Sequence, residues 1–325
     1  MSRMTQIVGG LILAVLASAT AAQDLSAKPI KIIVGFGAGG ATDSVARLYA
    51  EGMGRILGPP VIVENKPGAG QLAAVKTLMA AQPDGHTLYL GTGSSLAQGP
   101  GMRSDLPYDP LKDFTLIGLV AMTPGVIIVS PELPVNSVKE LVDYSVANPD
   151  KISYGSAGYG SANHLQTEYL MSLTGAKWTH VSYKSDGETV REVAAGRIHV
   201  SMSTTQQAMP LITAGRVKVL AVTTTSPLLY LPNVPTLSQI GIKGAEGLEP
   251  FTFFGLVGPI GIAPQIVARI NAAVNEVSAM SDVQSRMRET YFSETRTSSP
   301  AAFRSFMEQD IGKWKELGKK VKLPQ

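Results

Sequence analysis

The sequence predicts an α/β protein of two domains. Three observations lead there. From residue 28 onward, short apolar runs alternate with segments of helical periodicity. Hydrophobic residues make up 44% of the 325, and about 300 residues follow an N-terminal leader, which supplies sizeable cores and favours two domains over one. Four of the turns that follow strands are rich in Gly, Ser or Thr, as expected where a parallel or mixed sheet feeds helices on both faces.

Residues 1–22 read as a secretory leader. Arg3 supplies the positive start, "IVGGLILAVLAS" at 7–18 the apolar centre, and "ATA" at 19–21 the small residues before a cleavage site near Ala21 or Ala22. The apolar run is too short for a comfortable membrane span, so Sec-type export into a bacterial periplasm is expected. The sequence has no cysteine. That excludes disulfides, thiol catalysis, cysteine-based zinc sites and a lipid-anchored N-terminal cysteine.

Strands are expected at 30–35, 61–64, 87–91, 116–120, 125–129, 152–155, 178–183, 198–203, 217–223 and 251–257. Between them "TDSVARLYAEGMGRIL" puts Val45, Leu48 and Tyr49 on one helical face. "NSVKELVDYSVANPDK" opens with a capping box, Ser137 and Glu140, and stops at Asn148-Pro149. "IAPQIVARINAAVNEVSAM" spaces Ile266, Ile270, Ala273 and Val277 as a helix does. "SPAAFRSFMEQDIGKWKEL" has Pro300 at a first helical position and Phe303, Phe306 and Ile311 along one side. The formal net charge of +3 is mildly basic. The cluster "KWKELGKKVK" at 313–322 reads as the polar face and end of the last helix, without the aromatic interleaving of a nucleic-acid surface.

The turn "GFGAGGATD" at 35–43 fits G-x-G-x-x-G through Gly35, Gly37 and Gly40, and Glu64 follows at the end of the next strand. This is a weak dinucleotide fingerprint. Export argues against it, because a periplasm lacks free NAD. Asp43 argues against it too: it suits a helix start but would repel a pyrophosphate. The companion turns are "GTGSS" at 91–95, "GSAGYGSANH" at 155–164 and "SMSTTQQ" at 201–207. Backbone N–H groups and hydroxyls at such turns hold an anion without a neutralising Arg. Four in one chain predict a binding cleft.

No assembled catalytic site is visible. There is no G-x-S-x-G elbow, the acids are scattered, and the four histidines show no metal-ligand spacing. His86 and His199 read as structural and His180 as half-buried. His164 alone adjoins a Gly/Ser turn.

The mature chain resembles the periplasmic solute-binding proteins of tripartite tricarboxylate transporters, the family also known by the Bordetella uptake gene name. The resemblance is carried in order by "KPIKIIVGFGAGGATDSVARL", "LGPPVIVENKPGAG", "PDGHTLYLGTGSSLA", "LPYDPLKDFTLIGLV", "ISYGSAGYGSANHL", "HVSYKS", "AAGRIHVSM", "AGRVKVLAVTT", "LPNVPTLSQIG" and "FFGLVGPIGIAPQIVARINAAVNE". It implies a two-lobe periplasmic binding protein of the Venus-flytrap, type II-like kind with crossing hinge strands. Domain 1 would be 24–123 plus 252–325, and domain 2 would be 124–251. It further implies a monomer that captures a small organic acid, whether mono-, di- or tricarboxylic, aliphatic or aromatic, and delivers it to membrane permease subunits. No cofactor, metal, catalytic residue or nucleic acid is implied. A same-fold protein feeding a sensor is the alternative, and an exported nucleotide-dependent oxidoreductase a more distant one.

Carried onto this sequence, the ligand residues are Phe36, Gly37, Ala38, Gly39, Thr42 and Asp43 from the first loop. Ala157, Gly158, Ser161 and His164 come from the second, with Ser94, Ser95 and Thr204 from the other turns. Tyr159 is either an exposed turn residue or a lid stacking on the ligand. The chain departs from the family pattern in three places: "GFGAGG" for a common "PFAPGG", "YKS" at 183–185 for "YKG", and "STT" at 203–205 for "FDN".

Overall fold

The computed structural model describes Leu25 and residues 28–319, so the expected leader lies outside the described residues. Strand β1 (Ile30–Val34) shows why the apolar runs become strands. Successive side chains of a strand point to opposite faces. Ile30, Ile32 and Val34 join one core with Val45, Tyr49 and Ile270, while Ile33 joins a second core with Val75, Leu78 and Phe303. A strand buried on both faces needs apolar residues throughout, not alternation.

The first sheet has the order β11-β4-β10-β3-β1-β2. Its members are β1, β2 (Val61–Asn65), β3 (Thr87–Thr92), β4 (Phe114–Thr123), β10 (Thr252–Pro259) and β11 (Glu294–Thr295). β1 pairs in parallel with β2 and β3, and β10 runs antiparallel between β3 and β4. The second sheet has the order β7-β6-β8-β5-β9. It contains β5 (Gly125–Val129), β6 (Ser153–Ser156), β7 (Thr179–Ser182), β8 (Val200–Thr204) and β9 (Lys218–Val222). Here too burial is two-sided: Ile127 and Val129 pack with Tyr154 and Trp178, and Val126 and Ile128 with Val190 and Ile198.

The helices are α1 (Ala41–Leu57), α2 (Leu72–Met79), α3 (Val138–Ala147), α4 (Ala162–Thr174), α5 (Asp186–Ala194), α6 (Thr205–Thr213), α7 (Pro264–Ala279), α8 (Ser281–Glu289) and α9 (Pro300–Gly318), with short turns of helix besides. Helix α3 is capped by Ser137 Oγ, which accepts from Glu140 N at 3.1 Å. The return arm of the expected box is displaced by one residue: Glu140 accepts from Asn136 N at 2.7 Å.

The sheets are joined by two neighbouring passages of backbone. β4 ends at Thr123 and β5 begins at Gly125, and the chain returns through Phe251 into β10, whose Thr252 pairs with Thr123. The passages touch: a Cβ on Gly125 would lie 2.5 Å from the Phe251 ring. The Phe251 carbonyl accepts from Gln98 Nε2 and from Gln166 Nε2, each at 2.9 Å.

Two features were not expected. β11 is two residues long, too short to show a period. Within the Lys-rich end of α9, Trp314 is fully buried against Leu165, with Tyr169 and Met102 beside it, so this stretch is not a purely polar face. The fit there is tight. A Cβ on Gly101 would lie 2.4 Å from Trp314 Cβ and 3.0 Å from the Ile311 carbonyl oxygen, and a helix backbone cannot swing away. Gly101→Ala is therefore predicted to destabilise the protein by about 1–3 kcal/mol. Urea unfolding checks this, and an unchanged midpoint would show that α9 is free to shift.

Candidate functional site

The first turn is organised by Asp43. Its carboxylate is 4% exposed. Oδ2 accepts from Gly39 N at 2.9 Å and from Arg47 Nε at 3.0 Å, and Oδ1 accepts from Asn65 Nδ2 at 2.9 Å. Burial pushes its pKa up, but the hydrogen bonds from Arg47, Gly39 and Asn65 outweigh burial and hold it below the ordinary value. Asn65 also donates to the Phe36 carbonyl at 3.0 Å. Gly39 adopts φ +80°, which admits glycine without strain. The carboxylate thus folds back on its own loop, and Gly40 at the head of α1 has no side chain with which to cap it. The first N–H groups of α1 are left for a ligand at the positive end of the helix.

Behind this turn lies a hydroxyl–amide network. Gln71 Nε2 donates to Thr92 Oγ1 at 3.0 Å and to Ser94 Oγ at 2.7 Å, while Tyr89 OH bonds Gln71 Oε1 and Ser95 Oγ. The network fixes Ser94 at the cavity wall and keeps Ser95 behind it.

In the second turn, Ser161 caps α4. Its Oγ donates to the Gly158 carbonyl at 2.6 Å and accepts from His164 N at 3.4 Å. His164 is 1% exposed and its Nδ1 accepts from Gly160 N at 3.3 Å. Burial, with His180 nearby, lowers its pKa to about 4, so it is neutral near pH 7. Tyr159, 58% exposed, lies edge-on to His164 and His180 with ring centres 5.2 and 4.7 Å away.

The turns converge on one cavity of about 410 Å³. Of the residues singled out in the sequence, Phe36, Gly37, Ala38, Gly39, Thr42, Ser94, Ala157, Ser161 and Thr204 line it. Asp43, Ser95, Gly158, Tyr159 and His164 are not part of the lining. Asp43 and Ser95 hold the loops from behind, and Tyr159 covers the histidines rather than the cavity. Sequence reasoning missed the polar Asn163, Lys184, Asp186, Arg191 and Gln207, which also line it, as do the apolar Phe251 and Phe254. The departures at 183–185 and 203–205 were the available signal, since they flank this wall. Among the described residues, neither the Lys184 ammonium nor the Arg191 guanidinium forms a hydrogen bond or ion pair. Asp186 accepts from Thr204 N, Thr204 Oγ1 and Asn163 Nδ2, and burial nevertheless raises its pKa. Glu64, the ribose-type acid of the glycine fingerprint, is engaged by Lys66 at 2.6 Å and Lys31 at 3.4 Å.

A family model described as tripartite tricarboxylate transporter family receptor matches residues 45–323. A UPF0065 protein of Bordetella pertussis is 33% identical over 264 residues, covering 81% of this chain and 80% of that protein. The periplasmic binding protein BugD superposes with a TM-score of 0.80 at 32% identity, over 90% of this chain and 97% of its own. MatC from Rhodopseudomonas palustris, solved with bound malate, gives 0.81 at 27% identity, over 90% and 99%.

The role of Asp43 can be tested by pH. A depressed folded-state pKa contributes stability that is present above the unfolded value, about 3.9, and is lost as pH falls through the folded one. Asp43→Asn is predicted to cost about 1.5–3 kcal/mol near pH 7, the range of charged hydrogen bonds. The gap between variant and native protein should close below about pH 4. Denaturant unfolding across pH measures this, and a gap independent of pH would refute the charged role.

Proposed function

This chain belongs to the tripartite tricarboxylate transporter receptor family, and we propose that it captures one small organic carboxylate between its two sheets and delivers it to a membrane permease of that transporter type. Proteins of this family are periplasmic solute-binding receptors and not enzymes. The oxidoreductase alternative falls with that. The observation that carries the reading is the uncapped start of α1, aimed with Thr42 into a cavity that both halves of the chain wall. A carboxylate there gains charge-assisted hydrogen bonds without a buried counter-ion. The malate held by MatC, a neighbour over nearly the whole chain, supports the same class of ligand. Lys184 and Arg191 in the cavity wall add attraction for a second acidic group.

We take 24–123 plus 252–325 as one lobe and 124–251 as the other, with the passages at 123–125 and 251–252 as the hinge. Closure about them buries the ligand and marks the loaded state for the permease.

A thermal-shift screen over carboxylic acids, followed by calorimetry, tests the reading. Replacing the bound carboxylate by its neutral amide puts an NH₂ donor against N–H donors and should weaken binding on the order of a hundredfold. Thr42→Val keeps the shape, removes one hydroxyl and should cost about tenfold in affinity with little change in the melting temperature of the empty protein. Small-angle scattering should show compaction at saturation. Equal binding of acid and amide, or tight binding of NAD, would overturn the proposal.

A further inference from the structure

Behind the second turn lie two histidines that carboxylate capture leaves without a role. His164, on α4, and His180, on β7, face each other with ring centres 4.6 Å apart. Tyr154 of β6 stacks on His180 at 4.9 Å and lies 6.4 Å from His164, and the Tyr159 ring closes over both. Each imidazole bonds the turn through one nitrogen. His164 Nδ1 accepts from Gly160 N at 3.3 Å. His180 Nε2 lies 2.6 Å from Ser156 Oγ, which itself accepts from Gly158 N at 3.1 Å. The other nitrogens, His164 Nε2 and His180 Nδ1, are buried with no hydrogen-bond partner among the described residues.

This packing suits neutral rings and resists cations. A protonated His164 would set an Nδ1 proton against the Gly160 N–H, and a protonated His180 would bury an Nδ1–H with nothing to receive it. Two cations at this spacing would also repel each other. No carboxylate relieves them: Glu168, one turn along α4, is taken by the Tyr154 hydroxyl at 2.6 Å. From the first half of the chain, Arg103 approaches Gly160, and its guanidinium is paired with Asp105. Burial accordingly lowers the pKa of both histidines.

The turn held in this way supplies Ala157 and Ser161 to the cavity wall. Its tip also reaches the other half of the chain. A Cβ on Gly160 would lie 3.7 Å from Arg103 Nη1, and a Cβ on Gly70 would lie 3.9 Å from the Tyr159 carbonyl oxygen.

We propose that His164 and His180 are a proton-operated latch on the second turn: neutral, they hold it packed in the cavity wall, and protonated, they release it. Tyr159 is the cover of this latch and not a lid on the ligand. An open turn lets both rings reach water and regain the ordinary histidine pKa of about 6.5. The packed turn is therefore favoured above that value and loses ground as pH falls toward about 4, the packed value for His164. From pH 7 to pH 5 that one ring favours opening about twentyfold, and His180 adds to it. The consequence for the ligand, which rests on the proposed function, is capture near neutral pH and release in acid.

Hydrogen–deuterium exchange on the ligand-free mature chain tests the latch. The native protein is compared at pH 7 and pH 5 with a variant carrying His164→Asn and His180→Gln, after correction for the chemical pH dependence of exchange. Asn keeps an acceptor for Gly160 N, Gln keeps a polar group for Ser156, and neither titrates. In the native protein, peptides covering 155–164 should lose about tenfold or more of their protection at pH 5 while those of β1 and β3 keep theirs. The variant should lose less than about twofold. Equal native protection at both pH values overturns the inference. So does a loss shared equally by β1, which is unfolding of the whole, or a variant that loosens as the native protein does. The native series alone decides the matter if the variant does not fold. None of these outcomes bears on the carboxylate reading, which the comparison of acid with amide tests separately.

Discussion

A buried carboxylate must be matched by donors, and in this protein that requirement shapes the first binding turn. Asp43 collects the Gly39 amide, the Arg47 guanidinium and the Asn65 amide, drawn from the loop, the helix and the neighbouring strand. Because Asn65 also holds the Phe36 carbonyl, β2 and the loop are fastened at two points. The loop cannot collapse onto the start of α1, and the amides there stay open. A negative charge thus builds a site for a negative charge, provided that its own oxygens point away from it.

Asp186 repeats the device with the opposite outcome. It too gathers donors, one from Asn163 on α4 and two from Thr204, but no cation joins them. Arg47 makes the first aspartate electrically quiet from the ligand's side. The second lines the cavity, where burial raises its pKa. Two residues of one type, each near the start of a helix, therefore give the two walls different polarity.

Much of this could be read beforehand. All ten expected strands exist, and in β4, β5 and β10 burial on both faces forces a continuous apolar run that local sequence displays. The faces of α1, α7 and α9 were readable for the same reason, since Val45, Tyr49, Ile270, Val277 and Phe303 recur at the helical period. The Gly- and Ser-rich turns were readable because positive φ and helix capping select few residue types. What could not be read is pairing across distance. Nothing local distinguishes Asp186 from an ordinary helix-start acid, and its partners stand at 163 and 204. His164 looked like a contact because it adjoins the turn, yet one helical step carries its ring behind the loop. Trp314 was masked by its lysine neighbours, whose charges dominate the local pattern.

The sequence holds two tryptophans, and their positions give them different optical duties. Trp178 lies inside the core of the second sheet. Trp314 lies where the last helix meets Leu165 and Tyr169 of α4, its ring 6.0 Å from that of Tyr169. Both indole N–H groups are buried with no hydrogen-bond partner among the described residues. Any motion that draws α9 away from α4 wets one fluorophore and spares its twin. The molecule thus contains a signal and its internal reference, and relative movement can be followed by emission colour with no label attached.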